Sequence, residues 1–138
     1  MSTYGAGVLY LGQEPITADI FFVHGLAGDR RATWTKDDIF WPQDLLKAQI
    51  PHARILTFGY DADPIHFFRL GGQNHQTIFS HAQDLLTAVK NKRDDPKVKD
   101  RPIVFVGHSL GGLVIKQVRQ SSSLQKAILI MLGAVHRT

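Results

Sequence analysis

Cysteine is absent from the 138 residues, which excludes a disulfide framework and any cysteine-ligated metal site. No run of about 18 apolar residues occurs, so a spanning helix is not expected. The first residues lack a charged segment followed by an apolar one, so no secretory signal is visible, and an intracellular, cytoplasmic protein is the default expectation. There is no Gly-x-Gly-x-x-Gly. Gly107 to Gly112 has phosphate-loop spacing, but Leu113-Val114 stands where such a loop needs Lys and Ser or Thr. His66, His75 and His81 form a loose group without His-Glu-x-x-His spacing, so no metal is expected. Nothing in these patterns calls for a cofactor.

The formal net charge is +4. The basic residues are scattered except in Lys90 to Arg101, where aspartates and a proline interrupt them. That is the composition of a solvated loop and not of a nucleic-acid patch. A content of 43% hydrophobic and 20% charged residues suits one globular domain with a core.

The most informative stretch is Val104 to Ile115, an apolar run that ends in Gly107-His108-Ser109-Leu110-Gly111 and then restarts. This is the pattern of a strand turning sharply into a helix with a serine at the apex. Gly107 and Gly111 would let strand and helix pass close together. The Leu110 N–H would point from the first helical turn toward an oxyanion. Around this stretch, strands are expected at Ile20–Val23, Arg54–Tyr60, Ile103–Val106 and Ala127–Leu132, the last as a buried strand. Helices are expected after Pro42, from Thr77 to about Lys92, and from the elbow to about Gln120, where Ser121-Ser122-Ser123 breaks it. Residues 1–15 read as an irregular lead-in, with room for a short strand at Val8–Leu11. Residues 65–76 read as a long loop carrying Phe67-Phe68, a pair that could touch a membrane surface or acyl chain but reads first as aromatics packed on the domain. Trp34 is expected beneath the loop that follows His24.

Strand and helix alternate, which predicts an α/β fold with a mostly parallel sheet of about four to five strands, flanking helices and right-handed crossovers. Sites in such sheets lie at the carboxyl ends of the strands. Those ends hold His24-Gly25, Gly59-Tyr60-Asp61, Gly107-His108-Ser109 and Gly133 to His136. Acyl transfer needs a nucleophile, a base, an orienting acid and two oxyanion donors. Ser109 is the nucleophile candidate. Leu110 and Leu26 are the donor candidates, with Gly25 allowing close approach and His24 in a structural role.

Phe22 to Asp29 with Trp34, Gly59-Tyr60-Asp61, and Gly107 to Val114 together resemble the α/β-hydrolase superfamily. Within it, the likeness is to serine esterases related to lipases and GPI inositol deacylases, which also occur as N-terminal domains of fungal NACHT- or NB-ARC-type proteins. Leu132 to Arg137 resembles a Gly-Thr-Pro-His-Arg segment of that family, with Ala134 and Val135 in place of Thr-Pro. The resemblance runs from about residue 18 to the end. It implies a partial α/β-hydrolase domain over 16–138 and hydrolysis of a carboxylic ester, including lipid esters. It also implies association with mitochondrial or endoplasmic-reticulum membranes by analogy. A non-catalytic interaction module is the alternative reading.

The superfamily order is Ser, then Asp or Glu, then His. After Ser109 there are 29 residues with no Asp or Glu, and one histidine, His136. The chain therefore looks like the front portion of a hydrolase, whether a truncated gene model, a degenerate copy or one piece of a larger protein. His136 is the base candidate within the sequence, with Asp61 as its orienting partner, although the family strand order sets Asp61 beyond His24. If the sheet stops after residues 127–132, that strand is an exposed edge and self-association through it is expected.

Overall fold

The runs Ile20–Val23, Ile55–Phe58 and Ile103–Val106 show no polar alternation because each is covered on both faces. The computed structural model describes residues 4–25, 27–63, 74–98, 100–124 and 126–132, with the side chains of 74–76 left out. Its main sheet contains β1 (Gly5–Tyr10), β2 (Ala18–Val23), β5 (Ala53–Gly59), β6 (Ile103–His108) and β7 (Ile128–Leu132), in the order β1-β5-β2-β6-β7. β1 runs antiparallel to β5, and the other neighbours are parallel. The sheet is thus mostly parallel with flanking helices, as expected of the α/β class.

Register sets the core. Phe21 stands level with Leu56 on one side and Phe105 on the other, and Phe22 stands level with Thr57 and Val106. Side chains alternate along a strand, so these two rows face opposite ways. The Phe21 row, with Val23 and Phe58, meets α3 (Asn74–Lys92) and α4 (Leu110–Gln120) through Leu85, Val89, Val114, Ile115 and Val118. On the other face the core joins Phe22, Ile55 and Val106 to Trp34 and Phe40. That face is closed by a 3-10 turn (Ala32–Trp34), the hairpin of β3 (Thr35–Lys36) and β4 (Ile39–Phe40), and two single turns, α1 (Trp41–Asp44) and α2 (Leu46–Gln49).

Several expectations need correction. The lead-in is not wholly irregular, because Gly5–Tyr10 forms β1 and completes the sheet beside β5. The loop after His24 contains the β3–β4 hairpin, turned by Asp37 and Asp38 at φ of 53° and 65°. Short acidic side chains tolerate this left-handed region. The helix after Pro42 is two separate turns, with Leu45 exposed at the break. β7 is not buried, since Ile128, Ile130 and Met131 are 56%, 45% and 46% exposed. The helix starting near Thr77 begins three residues earlier, at Asn74. Phe67-Phe68 and His66 lie outside the described residues.

At the amino end of β2 the fold buries a carboxylate. Asp19 is fully buried and accepts hydrogen bonds from Arg54 (3.0 and 3.2 Å), Arg93 (2.7 Å) and Arg101 (2.9 Å). These arginines come from β5, the end of α3 and the approach to β6, so one carboxylate ties three segments together. Burial alone would raise the Asp19 pKa. The Arg54, Arg101 and Arg93 bonds outweigh it and hold the carboxyl below its ordinary 3.8. A depressed folded pKa means that the stabilisation is complete above the unfolded pKa and is lost as pH falls through the folded value. Asp19→Ala is expected to cost about 3–5 kcal/mol at pH 7, measured by urea unfolding. The gap between variant and wild type should narrow on acidification below about pH 4.

Candidate active site

β2 and β6 lie side by side, but the chain leaves them toward opposite faces of the sheet. After β2 it enters the turns around Trp34, and after β6 it enters α4. A crevice at the carboxyl ends of such a pair is where α/β sheets place ligands. Register puts Val23 level with Gly107, which brings His24-Gly25 against His108-Ser109.

Ser109 sits at the apex, with φ 56° and ψ −121°, as the N-cap residue of α4. This left-handed backbone is unfavourable for a residue with a β-carbon, by roughly 1–3 kcal/mol. The surrounding packing imposes it. A Cβ on Gly107 would lie 2.9 Å from Gly112 Cα, so strand and helix do pass as closely as the sequence pattern implied. Gly111 serves a different contact: a Cβ there would collide with the carbonyl oxygens of Val23 and His24, so this glycine seats α4 against the end of β2. A Cβ on Gly25 would lie 2.8 Å from Ser109 Cβ and 2.5 Å from His108 O. Gly25 thus lets its loop approach the elbow itself. Leu110 opens α4 and is buried, and its N–H belongs to the first-turn donors that a helix cannot pair internally. The positive end of the helix favours negative charge beside Ser109. His108 is half-buried, edge-on to Trp34 with ring centroids 6.2 Å apart, and Trp34 is buried as expected.

His24 is held on every side. The His24 Nδ1–H donates to Gly25 O at 3.0 Å, and Nε2 accepts the Tyr60 N–H at 3.2 Å. The Tyr60 hydroxyl donates to His24 O at 2.7 Å, and the two rings stack at 4.3 Å. Both ring nitrogens are occupied, and the ring braces the loop against the end of β5. The Ala27 N–H donates to Ala62 O at 2.6 Å and the Gly28 N–H to Gly25 O at 2.9 Å. Asp29 Oδ2 accepts the N–H groups of Arg31 and Ala32, both at 2.9 Å, and those two bonds lower its pKa. The loop that carries Leu26 is therefore tied down on both sides of it. Sequence reading missed the role of Tyr60, and its signal was the Gly59-Tyr60-Asp61 segment at a strand end.

Leu26 and His136 lie outside the described residues. Asp61 is exposed at the end of β5, and two strands separate β5 from β7, a lateral distance of about 14 Å at the strand level. The sheet thus sets Asp61 apart from the strand that leads to His136. Asp61 instead faces a cavity of about 600 Å3 with Tyr4, Tyr60, His81 and Asp84, on the β1–β5 side and away from the elbow. His81 packs on Tyr60 at 4.6 Å between centroids. Burial lowers its pKa, against the opposing pull of Asp84 and Asp61. Among the described residues no group of side chains could hold a metal ion.

The chain is 33% identical to Protein SERAC1 of Danio rerio over 125 residues, which is 76% of this chain and 18% of that protein. Identity to Protein SERAC1 of Homo sapiens is 28% over 131 residues, covering 83% of this chain and 19% of the relative. The chain thus spans about a fifth of the length of the curated relatives it matches. In structure it is similar to YbtT, a type II thioesterase from the Yersiniabactin NRPS/PKS biosynthetic pathway. That likeness has a TM-score of 0.53 and 14% identity over 90% of this chain and 43% of that one. No protein-family model matches the sequence. Sheet order and the structural likeness show an α/β-hydrolase-like fold. Assignment to the GPI inositol deacylase or NACHT/NB-ARC groups gains nothing from them.

Burial, the largest influence, lowers the His24 pKa below 6.5, and the Gly25 bond opposes it. The buried ring is therefore neutral at pH 7. Stability tied to it is complete above about pH 6.5, the unfolded value, and falls with pH below that. Imidazole NMR should show His24 neutral and protonated on Nδ1 at pH 7, with its titration displaced below 6.5. His24→Gln should flatten the pH dependence of unfolding below about pH 6.5.

Proposed function

We propose that the chain carries the nucleophile and oxyanion portion of a serine hydrolase acting on carboxylic esters, lipid esters among them. The observation that carries this reading is the Ser109 backbone, held at φ 56° on the N-terminus of α4 and facing the His24–Gly28 loop. Such a conformation in a non-glycine residue is a cost that a plain turn would not need. In the proposed step the Ser109 oxygen attacks the ester carbonyl carbon and loses its proton to a base. The carbonyl oxygen becomes an oxyanion, received by the Leu110 and Leu26 N–H groups. Collapse of the tetrahedral intermediate expels the alcohol, which takes the proton, and water then releases the acid from the acyl-serine. His136 is the base assigned within this sequence.

A fluorophosphonate probe tests the proposal. Wild-type chain should label, and Ser109→Ala should not. His136→Ala should slow labelling by roughly a thousandfold or more if it is the base. A chain that is folded by circular dichroism and does not label would overturn the catalytic reading and favour a non-catalytic interaction module.

We also propose that the outer edge of β7 pairs with a second copy of the chain. Among the described residues no strand covers that edge. Ile128-Leu129-Ile130-Met131-Leu132 carries no charge and no proline, the usual devices against edge pairing. Antiparallel pairing about Ile130 would set only apolar side chains opposite one another. Size-exclusion chromatography with light scattering should show dimers or larger species, and Ile130→Lys should shift the chain toward monomer. A wild-type monomer at tens of micromolar concentration would refute the contact.

A further inference from the structure

We infer that Met131 is a site of reversible oxidation by hydrogen peroxide, and that its oxidation loosens the turn holding Ser109. The composition isolates this sulfur. The chain has no cysteine and two methionines, one of which is Met1. Met131 is 46% exposed, so a small oxidant reaches it from solvent. It lies on β7 level with Gly107, the residue at which β6 passes closest to α4. Leu129, two residues earlier on the same strand, packs into the core covered by the long helices. Strand side chains alternate, so Met131 stands on that face too.

The exposed side chain has a fixed seat. A Cβ on Gly112 would fall on the Met131 Sδ and Cε, and the three atoms nearest to it all belong to Met131. The thioether thus lies against bare backbone in the first turn of α4, in space that a side chain at 112 would claim. The Gly112 N–H donates to Ser109 O at 3.0 Å, the bond that closes this turn on the strained serine. A soft, apolar thioether suits that contact. Oxidation changes it. A sulfur lone pair attacks one peroxide oxygen and the O–O bond breaks. The proton of the transferred oxygen joins the departing hydroxide, which leaves as water. The sulfur gains one oxygen and loses two electrons, and the peroxide is reduced. The product is a polar sulfoxide on a formerly apolar side chain. The N–H at its seat is already given to Ser109 O, so the new oxygen either competes for that donor or carries the side chain out to water. The first outcome weakens the bond to Ser109 O, and the second uncovers Gly112. Enzymatic reduction of the sulfoxide restores the thioether. The structural effect needs no active serine. Only its consequence for catalysis rests on the hydrolase reading.

The test adds hydrogen peroxide to the folded full chain, locates oxidation by peptide mass spectrometry and follows thermal unfolding. Met131 should gain one oxygen while the chain is folded, and the unfolding midpoint should fall by about 2 °C or more. Methionine sulfoxide reductase should restore the midpoint. Met131→Leu retains Met1 and should hold its midpoint in peroxide. Met131→Gln carries a polar oxygen without any oxidant and should show the lowered midpoint untreated, which keeps the test intact if the Leu variant folds poorly. Fluorophosphonate labelling of Ser109 should slow by about tenfold or more on oxidation and recover on reduction. An unchanged midpoint and labelling rate with Met131 oxidised would overturn the inference. So would an equal fall in Met131→Leu, or a Met131 that stays reduced until the chain unfolds. An untreated chain that does not label counts against the hydrolase reading alone, because the mass and midpoint measurements still decide the oxidation site.

Discussion

The pairing of β2 with β6 is the constraint on which the rest of the site depends. Val23 level with Gly107 leaves the next residues of each strand, His24-Gly25 and His108-Ser109, in contact at the point where the chain turns to opposite faces. A slip of one residue would turn every side chain of the strand to the other face and exchange the Phe21 and Phe22 rows. The two faces are covered differently, by long helices on one side and by Trp34 and Phe40 on the other, so the exchange would ruin both cores. Packing thereby fixes the position of the nucleophile before any polar contact is considered.

The second constraint is the close passage of backbone at the elbow. Gly25, Gly107 and Gly111 each occupy a place where a β-carbon would strike backbone or the Ser109 side chain. The strain is then carried by Ser109, the one non-glycine in the turn with positive φ. Tyr60, just after β5, fixes the His24 carbonyl and ring, which links the ends of two adjacent strands, β5 and β2.

Much of this was legible in the residues because it rests on local pattern. The unalternating runs at Ile20 and Ile103, the Gly-x-Ser-x-Gly turn and the helical spacing of Ala82, Leu85, Leu86 and Val89 each report a structure formed by near neighbours. What was not legible depends on distant partners. Asp19 looks like a polar residue opening an apolar strand, and its arginines come from 35 to 82 positions away. The Tyr60–His24 brace joins residues 36 apart. β1 escaped full recognition because its glycines weaken the alternation, and its place is set by pairing with β5. The exposure of β7 could not be read from composition, since an apolar run looks the same whether or not a layer covers it.

The central position of β2 also governs the order in which the chain can assemble. β2 is made early, yet Asp19 finds its β6 neighbour, Ile103, 84 positions later. At ribosomal speeds of about 5–20 residues per second, that neighbour follows after roughly 4–17 s. Until β6 is made, Ile20-Phe21-Phe22-Val23 can pair with β5 alone, and of the three arginines Arg54 comes first while Arg93 and Arg101 come shortly before Ile103. A carboxylate at the head of this strand resists burial until Arg93 and Arg101 have emerged. Burial of the Asp19 carboxylate is thus coupled to completion of the sheet, because two of the three arginines that pair with it arrive just before β6.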